Sequence, residues 1–242
     1  SPGYGFTFFL VDEPSINAFA GPGGYIGVHT GLLLAARNES ELAGVMAHEI
    51  AHVTQNHLFR AFDEFSRLSG PAALLTLGAA LLGATVSGDA AVAAIAGIQA
   101  GMAQAQLNFT RAHEEEADRE GIKILAQADY DPRAMPVFFG RMAQATRLYE
   151  TNLPEFLRTH PVTADRTADA LSRAEKYPFR QQQHGDLDFQ MVRAAIRADQ
   201  FSSGKSAVKH FESTLRDGRY RDENAERFGH VHALIRARDY TR

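Results

Sequence analysis

The distribution of apolar residues changes character several times along the chain. Residues 5–11, GFTFFLV, and the stretch SINAFAGPGGYIGVHTGLL from Ser15 to Leu33 are rich in aromatic and β-branched residues and are broken by Gly and Pro. This pattern predicts two or three strands. The Gly21-Pro22-Gly23-Gly24 cluster between INAFA and YIGV predicts a tight reversal, with the strand over Gly24, Tyr25, Ile26, Gly27 and Val28 left as a free edge near the following helix. From Asn38 the spacing becomes helical. Asn38 with Glu41 forms a capping-box pattern, and Leu42, Val45, Met46, Ile50 and Val53 recur on one face, so a helix is predicted from about Glu39 to Phe62.

Between Arg67 and Arg111 the only charged residue is Asp89, and Ala, Leu and Gly dominate. Two apolar arms joined near Ser87–Asp89 are expected, each about 14 to 17 residues long, short of the roughly 20 that a spanning helix needs. Two readings stand for residues 70–102: a pair of helices buried against the preceding helix, or a flap that touches a membrane surface or guards a cleft. A further helix is predicted from about Thr110 to Ala128. Asp131 and Pro132 then open another, Pro154 and Pro161 leave 149–162 irregular, and Thr163–Tyr177 reads as helix again. From about Asp186 onward, short amphipathic segments follow one another as at the start of a tetratricopeptide array, whose unit is about 34 residues. About three units are needed for such a stack to stand alone, so either the array continues or these helices lean on the preceding domain. The expected organisation is a domain over 1–180 and a partial helical-repeat region over 181–242, in a mainly helical α+β fold with a small sheet.

Composition narrows the chemistry. With 242 residues, 45% of them hydrophobic, the chain can bury one sizeable core and a small appended unit. A net charge of −4 offers no footprint for nucleic acid, which is not expected as a partner. The absence of cysteine removes disulfides, thiolate metal sites and Cys nucleophiles together, so imidazole and carboxylate must supply any metal site. The sequence opens Ser1-Pro2-Gly3 with no apolar targeting segment.

Within the first predicted helix stands His48-Glu49-Ile50-Ala51-His52. Spacing of i, i+4 puts both imidazoles on one helix face within reach of a single cation, and Glu49 falls beside it as a general base rather than a ligand. Catalytic zinc takes a third protein ligand and keeps one position open. The later helix offers Ala112-His113-Glu114-Glu115-Glu116-Ala117-Asp118, where Glu114 can bind zinc and Asp118 can hold the outer N–H of a ligand histidine. The same acidic run also reads as an exposed helix face, with Glu116 as the rival ligand. One Zn2+ per chain is expected, acidifying a water that attacks the peptide carbonyl while Glu49 takes its proton. His29, His57, His113, His184, His210, His230 and His232 show no spacing that argues for ligation.

HEIAH, followed by EEEAD in the form ExxAD and preceded by NAFAGPGGYIGVHTGLL, resembles the family of zinc peptidases that includes HtpX and the CAAX prenyl proteases, and within it the periplasmic members that carry a repeat domain. The resemblance covers about residues 5–177 and implies that Glu114 is the third ligand. It also implies that His160, in a His-Pro pair with Arg166 six residues on, approaches the metal. His160 could fill the fourth position and hold the enzyme latent, or donate to the oxyanion, or simply cap a helix. Arg166 could contact substrate or oxyanion, or form an ordinary salt bridge. The activity implied is endoproteolysis of unfolded or misassembled envelope proteins in the periplasm, in association with the outer membrane. The partners implied are the outer-membrane assembly machinery, through the C-terminal helices, and a membrane surface, through residues 70–102. Two rivals accompany this reading: a chaperone or assembly factor whose proteolysis is gated by His160, and an integral-membrane prenyl-peptide protease, against which the short apolar arms argue.

Overall fold

The computed structural model describes residues 5–83, 88–148, 154–178 and 186–241. Strands β1 (Thr7–Val11), β2 (Ala18–Gly21) and β3 (Tyr25–His29) form one sheet in the order β1-β3-β2, with β1 parallel and β2 antiparallel to β3. The β2–β3 reversal occurs at the expected Gly-Pro-Gly-Gly cluster, where Gly23 and Gly24 take φ of 84° and 85°, a region open to glycine but strained for other residues. The free-edge expectation for Gly24, Tyr25, Ile26, Gly27 and Val28 is overturned, because β3 is the central strand and both its edges are paired. Its near-continuous burial from Ile26 to His29 is the mark of a strand covered on both faces. The edge beside the cleft is β2.

Helix α1 (Thr30–Ala35) follows β3 directly, and α2 (Glu39–Thr54) begins at Asn38, whose side chain accepts from the Glu41 backbone N–H. Instead of running to Phe62, α2 stops: Gln55 caps it, Asn56 adopts φ 55°, and α3 (His57–Gly83) starts in a new direction. Helix α4 (Gly88–Gln127) joins the second apolar arm and the acidic ExxAD segment in one continuous helix. The arms pack on each other as a hairpin, but Leu74, Leu75 and Val92, 72%, 62% and 68% exposed, rule out the buried-pair reading. Their junction at 84–87 lies outside the described residues.

Helix α5 (Ala134–Leu148) brings Met135, Phe138, Phe139 and Met142 into the core, where they meet Val45 and Ala47 of α2 and Ile122 and Leu125 of α4. Part of the segment expected to be irregular is a short helix, α6 (Glu155–Thr159), which buries Phe156 and Leu157 in the same core, and α7 (Ala164–Ala174) starts at a Thr163 cap. Helices α2 and α4 come close because Gly121 has no side chain: a Cβ there would stand 3.2 Å from the His48 backbone nitrogen. Helices α8 (Asp186–Asp199), α9 (Gly204–Arg216) and α10 (Glu223–Ala237) share a second small core around Ala198, Ala207, Phe211 and Ala233. They lean on the first core through α8, where Gln190 donates to the Arg37 carbonyl at 2.9 Å and Arg193 to the Leu34 carbonyl at 2.8 Å. The boundary expected near 180, and His184, fall in 179–185, outside the described residues.

Candidate metal centre

Two helices and one short connection build the centre. His48 and His52 project from the same face of α2, Glu114 comes from α4, and His160 from the C-terminal end of α6, where its backbone N–H also caps the helix by donating to the Phe156 carbonyl. One donor atom from each lies within 4.8 Å of the others. His52 Nε2 is 3.0 Å from His48 Nε2 and 3.3 Å from Glu114 Oε1, while His160 Nδ1 is 3.0 Å from that same oxygen and 3.4 Å from His48 Nε2. Two imidazole nitrogens facing one another across 3.0 Å beside a carboxylate suit a shared cation better than they suit each other, so the donor set fits a metal ion. Glu116, the rival ligand, points away, towards His57 and Arg60.

Each imidazole of the HExxH pair is held from behind by different means. His48 is fully buried, with Nδ1 3.0 Å from Asp118 Oδ1. Arg166 grips Asp118 through Nε and Nη2, both at 2.8 Å, and places Nη1 2.9 Å from Glu114 Oε2 and 2.7 Å from the Pro161 carbonyl. The expected substrate or oxyanion contact of Arg166 is not met. The side chain is buried and its donors are directed at protein acceptors. On the other side, His52 Nδ1 is 2.9 Å from Nδ1 of His57, whose Nε2 is 3.2 Å from Glu116 Oε2, and Arg60 donates to Glu116 at 2.7 Å. The His57 ring stacks on His113 at 4.2 Å with 7° between planes. Sequence reasoning missed this arrangement. The five-residue step from His52 to His57 looks off-face on an unbroken helix, and only the turn at Gln55–Asn56 brings the rings together.

The charges divide accordingly. Burial pulls His48 down, but hydrogen bonds to Asp118 and Glu114 outweigh it and push the imidazole up to about 10. Burial dominates at His52, pushing it down to about 3, and His57 is lowered for the same reason. Burial raises Glu114, yet hydrogen bonds from His160, His48 and His52 overcome it and hold the carboxylate well below its ordinary range. Glu49, buried at the centre, moves the other way: desolvation raises its carboxyl group, offset in part by the neighbouring histidines and by a hydrogen bond from the Ala20 backbone. Its Oε1 lies 3.5 Å from His160 Nε2. A cleft of about 570 Å³ opens here, walled by β2 from Ala18 to Gly21, by Glu49, His52 and His57, and by Phe59 at the base of the arm.

Imidazole and carboxylate donors converging beside a buried, easily protonated carboxyl group, at the foot of a peptide-sized cleft, are the arrangement of a metallopeptidase. The chain belongs to peptidase family M48, whose model matches residues 1–174. It is 38% identical over 239 residues to the β-barrel assembly-enhancing protease of Escherichia coli, a match that covers 97% of this chain and 48% of that protein. A Vibrio cholerae protein provisionally given the same name is 49% identical over 194 residues, covering 80% of this chain and 39% of the relative. The mitochondrial metalloendopeptidase OMA1 of Bos taurus is 34% identical over 167 residues, 68% of this chain and 31% of the relative. The chain thus spans about half the length, or less, of the relatives it matches. No helix among the described residues is long and apolar enough to cross a membrane.

Proposed function

We propose that the chain is a zinc-dependent endopeptidase acting on unfolded or misassembled proteins of the bacterial envelope, with His48, His52 and Glu114 holding the ion. The observation that carries the reading is the convergence of those three donors from α2 and α4. Two imidazoles and one carboxylate favour zinc over harder cations. When bound, the ion supplies a Lewis acid that acidifies water and polarises the scissile carbonyl. Glu49 takes the proton from water and returns it to the leaving nitrogen. Its burial makes the carboxyl group a readier proton carrier, and the Ala20 N–H fixes its orientation. Asp118 orients His48, and His57 does the same for His52: with Nε2 of His52 turned to the ion, its Nδ1–H donates to His57, whose Nε2–H donates to Glu116. Substrate lies in the cleft along β2, the outer strand of the sheet, whose main-chain groups other than the Ala20 N–H can pair with an extended peptide.

His160 stands among the donors, where its imidazole would compete with water and substrate for a bound ion. This favours latency over an oxyanion role, and a swing of His160 opens the site. The names of the E. coli and V. cholerae relatives support a periplasmic, outer-membrane-associated setting, with the C-terminal helices as the start of a tetratricopeptide array that meets the assembly machinery. The exposed apolar residues of the α3–α4 hairpin suit a membrane surface or unfolded chains. A second reading, a chaperone or assembly factor with gated proteolysis, draws on the same placement of His160.

Metal analysis with a casein-cleavage assay tests the proposal. The wild-type chain is expected to hold about one zinc, and Glu114→Gln to lose it. Glu49→Gln keeps the metal and loses cleavage by about 10²–10⁴-fold, while His160→Ala raises basal cleavage. Stoichiometric metal in Glu114→Gln would refute the ligand set. Envelope-assembly support that survives intact in Glu49→Gln favours the second reading.

A further inference from the structure

Helices α8, α9 and the turn between α9 and α10 enclose a recess of about 420 Å³ that shares no residue with the cleft. Arg193 and Arg197, one helical turn apart on α8, line it from one side, and Arg219 and Arg221 from the turn. Two carboxylates also stand in the wall, so the guanidinium groups outnumber them four to two. Asp222 accepts the Ala225 backbone N–H as the cap of α10, and Glu226 accepts from the Thr214 hydroxyl. Arg219 is paired with Asp217 at 2.8 Å. The partners of Arg193 are neutral, the Gln190 amide oxygen at 2.5 Å and the Leu34 carbonyl, and its Nε is buried without a partner. Among the described residues, Arg221 reaches only the Arg37 carbonyl, at 3.5 Å. Hydrogen-bonded carbonyls orient a guanidinium without neutralising it; the Asp186 and Glu41 carboxylates act favourably on Arg193, but Arg197 and Arg221 act on it more strongly in the opposite sense. Burial first, and then Arg197 and Arg221, hold Arg193 down to about 10.

An occupant that supplies negative charge relieves this repulsion. The rest of the wall limits what it can be: half-buried Tyr220, backed by the buried Phe211, Ala194 and Ala225, gives the recess an aromatic side that inorganic phosphate does not use and that amino-acid side chains do. Guanidinium forks match carboxylates in two-point contact. We propose that this recess binds the carboxylates of an acidic polypeptide segment, as a docking site separate from the peptidase cleft. The inference does not depend on the metal centre or on its activity.

Fluorescence anisotropy with a labelled hexaglutamate peptide on the 242-residue chain tests it, with hexalysine as a control and inorganic phosphate as a competitor. Hexaglutamate is expected to bind, more tightly at low ionic strength, and hexalysine is not. Arg197→Gln, which breaks no hydrogen bond or ion pair among the described residues, should weaken binding roughly tenfold or more. Adding Arg193→Gln should weaken it further, and casein cleavage should be unchanged. Arg216→Gln, an exposed change outside the recess, should leave binding intact. Failure to bind, or equal loss in Arg197→Gln and Arg216→Gln, overturns the proposal. Displacement by phosphate at the concentration of peptide carboxylate that half-saturates the site overturns the assignment to polypeptide. Thermal melts of each variant separate lost binding from lost fold.

Discussion

The two histidines of the HExxH pair stand four residues apart on one helix, yet the protein supports them in opposite ways. His48 sits in a dry ion network, where Asp118 and Glu114 hold it protonated and Arg166 clamps both carboxylates. His52 is kept neutral by burial and leans on a second neutral ring, His57, which leads through Glu116 to Arg60 at the surface. One side is rigid through charge, and removing any member strands the others in a medium that cannot solvate them. The other side is a hydrogen-bonded line that ends in water, borders the cleft and can rearrange at low cost.

The sharpest way to break the contrast is Arg166→Leu, which leaves Asp118 and Glu114 buried without their cation. A loss of about 3–5 kcal/mol is expected in urea unfolding of the metal-free chain. A loss below about 1 kcal/mol would mean that the network is solvated like a surface pair. Next comes His57→Phe, which keeps a ring against His113 but removes the acceptor for His52. Zinc affinity should fall about 10–100-fold, and His57→Gln, which can accept from His52 and donate to Glu116, should recover most of it. Equal effects of Phe and Gln would reduce His57 to packing.

The third test uses protons. A metal ligand must be deprotonated, and the metal-free His48, raised to about 10, holds its proton through neutral pH, while His52, lowered to about 3, has none to give. Metal uptake should therefore expel about one proton and tighten as pH rises from about 6 to 8. Calorimetry in buffers of different ionisation enthalpy reads this directly, and buffer-independent heats would contradict it. The smallest effect is expected for Arg60→Ala: the Arg60–Glu116 pair is 44% and 26% exposed, so its loss should cost under about 1 kcal/mol and change zinc affinity far less than His57→Phe.

What could be read from the sequence was local. HExxH and ExxAD announce themselves through helical spacing, and the Asn38 cap, the Gly-Pro-Gly-Gly reversal and the Thr163–Tyr177 helix follow from neighbouring residues. What escaped depends on distant pairing or on a single backbone angle. Strand β3 reads as an edge because nothing in YIGVH reveals that β1, from upstream, adds to its other side. Residues 39–62 read as one helix because apolar positions continue past Thr54, and the one local sign of a break is Asn56, a residue type that tolerates its φ of 55°. That angle decides whether His57 meets His52. The sequence does not decide between substrate contact and salt bridge for Arg166, because its carboxylate partners lie 48 and 52 positions away, on α4.

Helix α4 has no joint between its apolar arm and Glu114. Each residue turns an α-helix by about 100° and lengthens it by about 1.5 Å. Inserting a single amino acid upstream of Glu114 would therefore spin Val92 and its neighbours by more than a quarter turn about the helix axis, pointing the greasy flank elsewhere without touching the catalytic floor. Seven added residues, close to two full turns, would restore the heading. The gap between arm and ligand thus behaves like the thread of a screw, in which length and facing direction cannot be changed independently.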